Sequence, residues 1–89
     1  EFRKATKPLR DRIAQSEQQL EKIADALEVV HQGLSDSSIY DTDKKDALNK
    51  LLAEQRRLQA EQETLEERWM EAEGTLAEMT EQFEQEADS

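Results

Sequence analysis

Gly33-Leu34-Ser35-Asp36-Ser37-Ser38-Ile39-Tyr40-Asp41-Thr42-Asp43-Lys44-Lys45-Asp46 is the one stretch of this chain that does not read as continuous amphipathic helix. A long apolar seam runs on either side of it, so the stretch is expected to be the turn of a helical hairpin. Gly33 follows a helical pattern directly, where a residue without Cβ can take the left-handed conformation that ends many helices. Leu34 would then close an apolar contact onto Val29. Three of the next four residues are Ser, and with Asp36 they compete with helical hydrogen bonding by bonding their own backbone. Asp41 or Thr42 suits the cap of a second helix, with Asp43 in its first turn. A turn of about nine residues is long for two helices. Ile39 and Tyr40 are therefore expected to fold back onto the end of the rod, with the Tyr40 ring over Leu34 and Leu48.

The first seam is Phe2, Thr6, Leu9, Ile13, Ser16, Leu20, Ile23, Leu27, Val30 and Leu34, in alternating steps of four and three. The second is Leu48, Leu51, Gln55, Leu58, Gln62, Leu65, Trp69, Ala72, Leu76, Met79 and Phe83, in the same alternation. Such a repeat of about 3.5 residues keeps an apolar stripe against a partner helix around a supercoil. The expected fold is all-α, a two-helix antiparallel coiled-coil hairpin, in one domain over residues 1–89. Capping signals place helix 1 at about 8–32, the tip at 33–41 and helix 2 at about 42–85. Pro8 disfavours helical geometry at Lys7, so the regular helix should start near it. Both seams meet within one chain at low entropic cost, which predicts a monomer.

An antiparallel pairing requires facing residues whose numbers have a constant sum. A sum near 78 faces Leu27 with Leu51, Leu20 with Leu58, Leu9 with Trp69 and polar Ser16 with polar Gln62. A sum near 85 is the next register, one heptad away. The match of polar with polar favours 78, because an amide against an apolar layer is left unsatisfied.

Only 35% of the 89 residues are apolar and 38% are charged, with two glycines, one proline and no cysteine. That balance suits solvated helices, and it excludes a disulfide framework and thiol chemistry. The longest purely apolar run is Leu51 to Ala53, so nothing in the sequence spans a membrane as a helix. The chain opens at Glu1 rather than Met, as a piece of a larger protein would. Its net charge of −10 lies almost wholly after residue 60, where Arg68 is the single base. That region should repel nucleic acid, and a polyanion could approach only the first two thirds.

No residue set in the chain builds a catalytic or metal site. Glu28 and His31 have the Glu-x-x-His spacing of di-iron bundles, but such a site needs a second copy and this chain has one His. Asp41, Asp43 and Lys45 begin like a calcium loop, yet the lysine and the missing glycine oppose it. There is no G-x-x-x-x-G-K-[ST] phosphate loop. What remains is surface charge. Lys44, Lys45 and Lys50 lie at or beside the tip, diluted by Asp41, Asp43 and Asp46, and Arg56 and Arg57 follow within two turns. A second basic group, Arg3, Lys4, Lys7, Arg10 and Arg12, is expected to pair across the seam with Glu66, Glu67, Glu71 and Glu73. Gly33, Leu34, Ile39 and Tyr40 are the expected framework of the tip.

Leu34-Ser-Asp-Ser-Ser-Ile-Tyr40-Asp41, then Lys44 and a leucine seam, and later Trp69-Met-Glu71-Ala72 leading to Leu76, resemble the C-terminal coiled-coil domain of ABC-F ATP-binding proteins, closest to the YheS type. Lys7-Pro8-Leu9-Arg10 matches the same branch. The resemblance implies two ATPase cassettes upstream that bind ATP and Mg²⁺, no membrane domain, a cytoplasmic location, and a role in translation near the ribosomal exit site for tRNA. The chain itself would be a non-enzymatic accessory arm that contacts the ribosome or RNA, or that positions the ATPase. In the related Uup branch this domain is associated with DNA binding, and the acidic second half argues against duplex DNA here. The alternative function is a structural or protein-docking coiled coil without nucleic acid.

Overall fold

A computed structural model describes residues 1–88. Two helices, α1 (Phe2–Ser35) and α2 (Lys45–Asp88), are joined through two short 3-10 turns, Ser37–Tyr40 and Thr42–Lys44. The helices lie antiparallel in a rod of 71 × 15 × 14 Å. Its length follows from α2 alone, since 44 helical residues at about 1.5 Å rise span about 66 Å.

The seams meet in the register that sums to about 85, not 78. At the open end the Phe2 and Phe83 rings stack with centroids 4.7 Å apart. Midway, the Trp69 indole nitrogen donates to Glu17 at 3.3 Å. Near the tip, Gly33 backs onto Leu51. These three contacts fix the pairing along the whole rod. Two physical reasons favour it over the polar match. A sum of 78 would leave Met79 and Phe83 beyond the start of α1, bare in water. It would also set Trp69 against Leu9, whereas the observed register sets the largest side chain opposite Ser16, one of the smallest. Gln55 and Gln62 need no polar partner, because they sit half-buried at the edge of the seam where water is in reach.

The continuous core is Ile23, Leu27, Val30, Leu58 and Leu65, with Leu20, Ala26, Leu34 and Leu51 packed at its margin. Toward the open end small or polar side chains join Ile13 at the buried positions, with Ser16, Ala72 and Thr6 among them. Thr6 is only 1% exposed, and its hydroxyl donates to the Phe2 carbonyl of its own helix at 2.9 Å. A hydroxyl satisfied in this way can enter an apolar layer without a cross-helix partner.

Both ends of α1 depart from expectation. The helix runs through Pro8, back to Phe2. An interior proline removes one backbone hydrogen bond and crowds the preceding turn, at about 3 kcal/mol. The carbonyl that loses its donor is that of Lys4, and Arg10 reaches back beside it: its guanidinium donates to the Arg3 carbonyl at 2.7 Å and to the Thr6 hydroxyl at 3.3 Å. At the other end Gly33 has no positive φ and does not cap. The helix continues to Ser35, whose hydroxyl donates back to the His31 carbonyl at 2.8 Å. Gly33 serves packing instead, since a Cβ there would lie 3.0 Å from a Leu51 methyl. With no left-handed cap to turn Leu34 back, Val29 stays 67% exposed. The connection has the expected length but spans 36–44, three residues later than read.

Leu58, 4% exposed in the core, should cost about 2–3 kcal/mol when changed to Ala, and half-buried Leu20 less. Gly74→Ala should gain about 1 kcal/mol, since nothing lies within 4 Å of its added methyl. Gly33→Ala should gain less or lose, because Leu51 must move. Equal gains at the two glycines in thermal melts would refute the close approach. A double-mutant cycle tests the coupling of Arg10 to Pro8: Arg10→Ala should destabilise more in the parent than in a Pro8→Ala background. Equal losses would show that Arg10 acts independently of the broken turn.

Candidate functional site

Two capping interactions set the tip. Asp36 begins the first 3-10 turn with its carboxylate accepting from the Ser38 backbone N–H at 3.0 Å and from the Ser38 hydroxyl at 2.9 Å. Those hydrogen bonds favour the charged form and hold the Asp36 carboxyl below its usual range, with the Lys44 charge adding to the effect. Tyr40 ends the same turn. Its hydroxyl donates to the Leu34 carbonyl at 2.7 Å, which satisfies one of the acceptors that α1 leaves open at its C-terminus. Backbone bonds from Ile39 to Asp36, from Asp41 to Ser38 and from Lys44 to Asp41 complete the connection.

The tip framework read from the sequence is thus present, with altered roles. Leu34 and Ile39 are half-buried and Gly33 lies inside α1. The Tyr40 ring does not close the rod: the residue is 60% exposed and its hydroxyl, rather than its ring, is engaged. Asp41 stands at the N-cap position of the second turn but makes no side-chain cap bond. An Asp two residues before a Ser is a recognisable turn signature, and Asp36 with Ser38 was legible in these terms.

The basic residues divide by what they touch. Lys44 leans onto the first turn, with its ammonium 3.4 Å from the Ser38 hydroxyl. Lys45, Lys50 and Arg56 are exposed. Arg57 is committed: it binds Glu54 through two nitrogens and Glu61 at 2.8 Å, all along one helix. Its hydrogen bond to Glu54 pushes the guanidinium up and holds the Glu54 carboxyl down. The basic group at the start of α1 is likewise not paired as expected. Lys7 bonds Asp11 at 2.8 Å on its own helix, and Arg10 is occupied by backbone. The shift of register carries Glu66 and Glu67 one heptad away from that group, whereas Arg12 still lies alongside Glu71.

Acid–base catalysis requires a group poised near neutrality and shielded from water. Asp36, Glu54 and Arg57 are instead shifted toward their charged forms by surface hydrogen bonds. A groove of about 590 Å³ flanks the seam between Lys22 and Arg68, but it is open to solvent. Among the described residues no cluster of three or more metal-ligating side chains occurs, and no helix is long and apolar enough to cross a membrane.

The described residues thus form a long antiparallel helical hairpin whose connecting turn is ordered by side-chain hydrogen bonds. The sequence carries its kinship in the same segment: the family model described as ABC transporter C-terminal domain matches residues 4–74, and the chain belongs to that family. Comparison with curated proteins and with solved structures gave no match.

The lowered Asp36 carboxyl predicts a pH dependence at the tip. A group whose pKa is depressed on folding contributes order above its unfolded value and loses it as pH falls through the folded one. Carboxyl-carbon NMR should place the Asp36 midpoint below 3.8, and Asp36→Asn should abolish the acid-side loss of tip order. A midpoint at or above 3.8 would contradict the double hydrogen bond to Ser38.

Proposed function

We propose that this chain is the C-terminal arm of a cytoplasmic ABC-F ATPase of the YheS type, related to the Uup branch, and that it acts in translation by touching ribosomal RNA or tRNA with its tip. ATP and Mg²⁺ belong to cassettes upstream in the same polypeptide. The arm works as a monomer, without membrane contact, and without binding duplex DNA. One observation supports this reading above others: Lys44, which leans on Ser38, and exposed Lys45 and Lys50 sit on or beside a turn pinned by Asp36 and Tyr40, at one end of a 71 Å rod. A turn already ordered loses little entropy when it makes a contact. Arg56 extends the cationic side along α2, whereas Arg57 is spent on Glu54 and Glu61.

Binding to purified ribosomes across a salt series tests the reading. Affinity should fall steeply with salt, and Lys44→Glu with Lys45→Glu should flatten the logarithmic slope by about 1.5 to 2 while leaving the melting curve unchanged. Asp41→Asn with Asp43→Asn should tighten binding by removing repulsion beside the lysines. No binding at low salt would leave the protein-docking coiled coil, the reading that the committed Arg57 and the acidic second half favour.

A further inference from the structure

We infer that Tyr40 is a stacking platform for an unpaired base, so that the RNA met by the tip is a single-stranded loop or bulge. This rests on the RNA-contact reading above and names its ligand more closely. A tyrosine in a turn of small residues ordinarily lays its ring over apolar neighbours and leaves its hydroxyl to water. Tyr40 does the reverse. It is 60% exposed, and its hydroxyl is held by the Leu34 carbonyl at 2.7 Å. The side chain is thus fixed at both ends, by its place in the 3-10 turn and by that hydrogen bond. A largely exposed aromatic side chain held in this way has little left to order when it makes a contact.

The surroundings select the ligand. Lys44 is brought onto the turn that carries Tyr40 by its contact with Ser38, and Lys45 follows it in the chain, so cations for the flanking phosphates stand on or next to that turn. Bases stack on aromatic faces with little regard to sequence, and backbone phosphates need such neighbours. An A-form duplex keeps its base faces covered and its major groove closed to side chains, so it gives one exposed ring nothing to bind. An apolar protein pocket is also a poor fit, because entry of the ring would drag exposed Asp41, Thr42 and Asp43 out of water.

Two labelled probes separate these cases at low salt: a stem–loop RNA with an unpaired loop, and a blunt duplex of the same stem. The parent chain should prefer the stem–loop. Tyr40→Leu should weaken stem–loop binding about tenfold and leave the duplex unaffected. Tyr40→Trp should retain the preference, and Tyr40→Phe, which keeps the ring but loses the tether, should fall between. Because the chain has a single tyrosine, its ring protons can be followed alone, and they should move upfield with the stem–loop but not with the duplex. Thermal melts verify that each variant is folded, with Trp69 emission as a second check in all but Tyr40→Trp. If Tyr40→Leu binds the stem–loop like the parent while Lys44→Glu with Lys45→Glu does not, stacking is wrong and the tip contact stands. If the parent binds neither probe nor ribosomes, both fall together.

Discussion

A rod of two helices has no third layer, so almost everything that holds it lies along one line of side chains, and the register of that line decides the rest. The 4.7 Å stack of Phe2 on Phe83, the bond from Trp69 to Glu17 and the approach of Gly33 to Leu51 are three readings of one alignment. Sliding by a heptad would break all three at once. It would also change which carboxylates flank the basic start of α1, where Leu34 stands above the turn, and whether Tyr40 can reach a carbonyl of α1.

How far the sequence reveals this depends on which property carries each feature. Two seams with one heptad period, separated by a stretch rich in Ser and Asp, dictate an all-α antiparallel hairpin, and that architecture was legible residue by residue. Register was less so, because both alignments bring leucines together and differ mainly in volume and overlap. Pairing Ser16 with Gln62 weighed polarity; the fold weighs the bulk of Trp69 and the exposure of Met79 and Phe83. Gly33 and Pro8 show the limit of local rules. One glycine is a packing notch rather than a cap, and one proline sits inside a helix that continues through it, with Arg10, two residues on, donating back into the preceding turn. Neither outcome is set by the residue's own propensity.

At the tip the component residues were legible and their roles were not. Tyr40 was expected to cover apolar side chains, but the geometry spends its hydroxyl on Leu34 and leaves the residue 60% exposed. Side-chain charge was equally incomplete as a guide. Arg57 and Lys50 look alike in the sequence, each with acidic residues at helical spacing, yet Arg57 closes onto Glu54 and Glu61 while Lys50 closes onto neither Asp46 nor Glu54. The family model ends at residue 74, before the stretch in which Met79 and Phe83 complete the seam.

The elongation of the rod also settles how its charge acts. The net −10 arises from residues 61–89, which run from mid-rod to the open end, where Arg3, Lys4, Lys7, Arg10 and Arg12 of α1 partly offset it. In physiological salt an exposed charge is screened beyond about 8 Å, a small fraction of the 71 Å between the ends. The two ends are therefore electrically independent bodies on one stiff support. An isoelectric point near 4.5 describes how the chain migrates as a whole and says nothing about what its tip attracts. Whatever approaches that end meets only the local contest between three lysines and the aspartates among them.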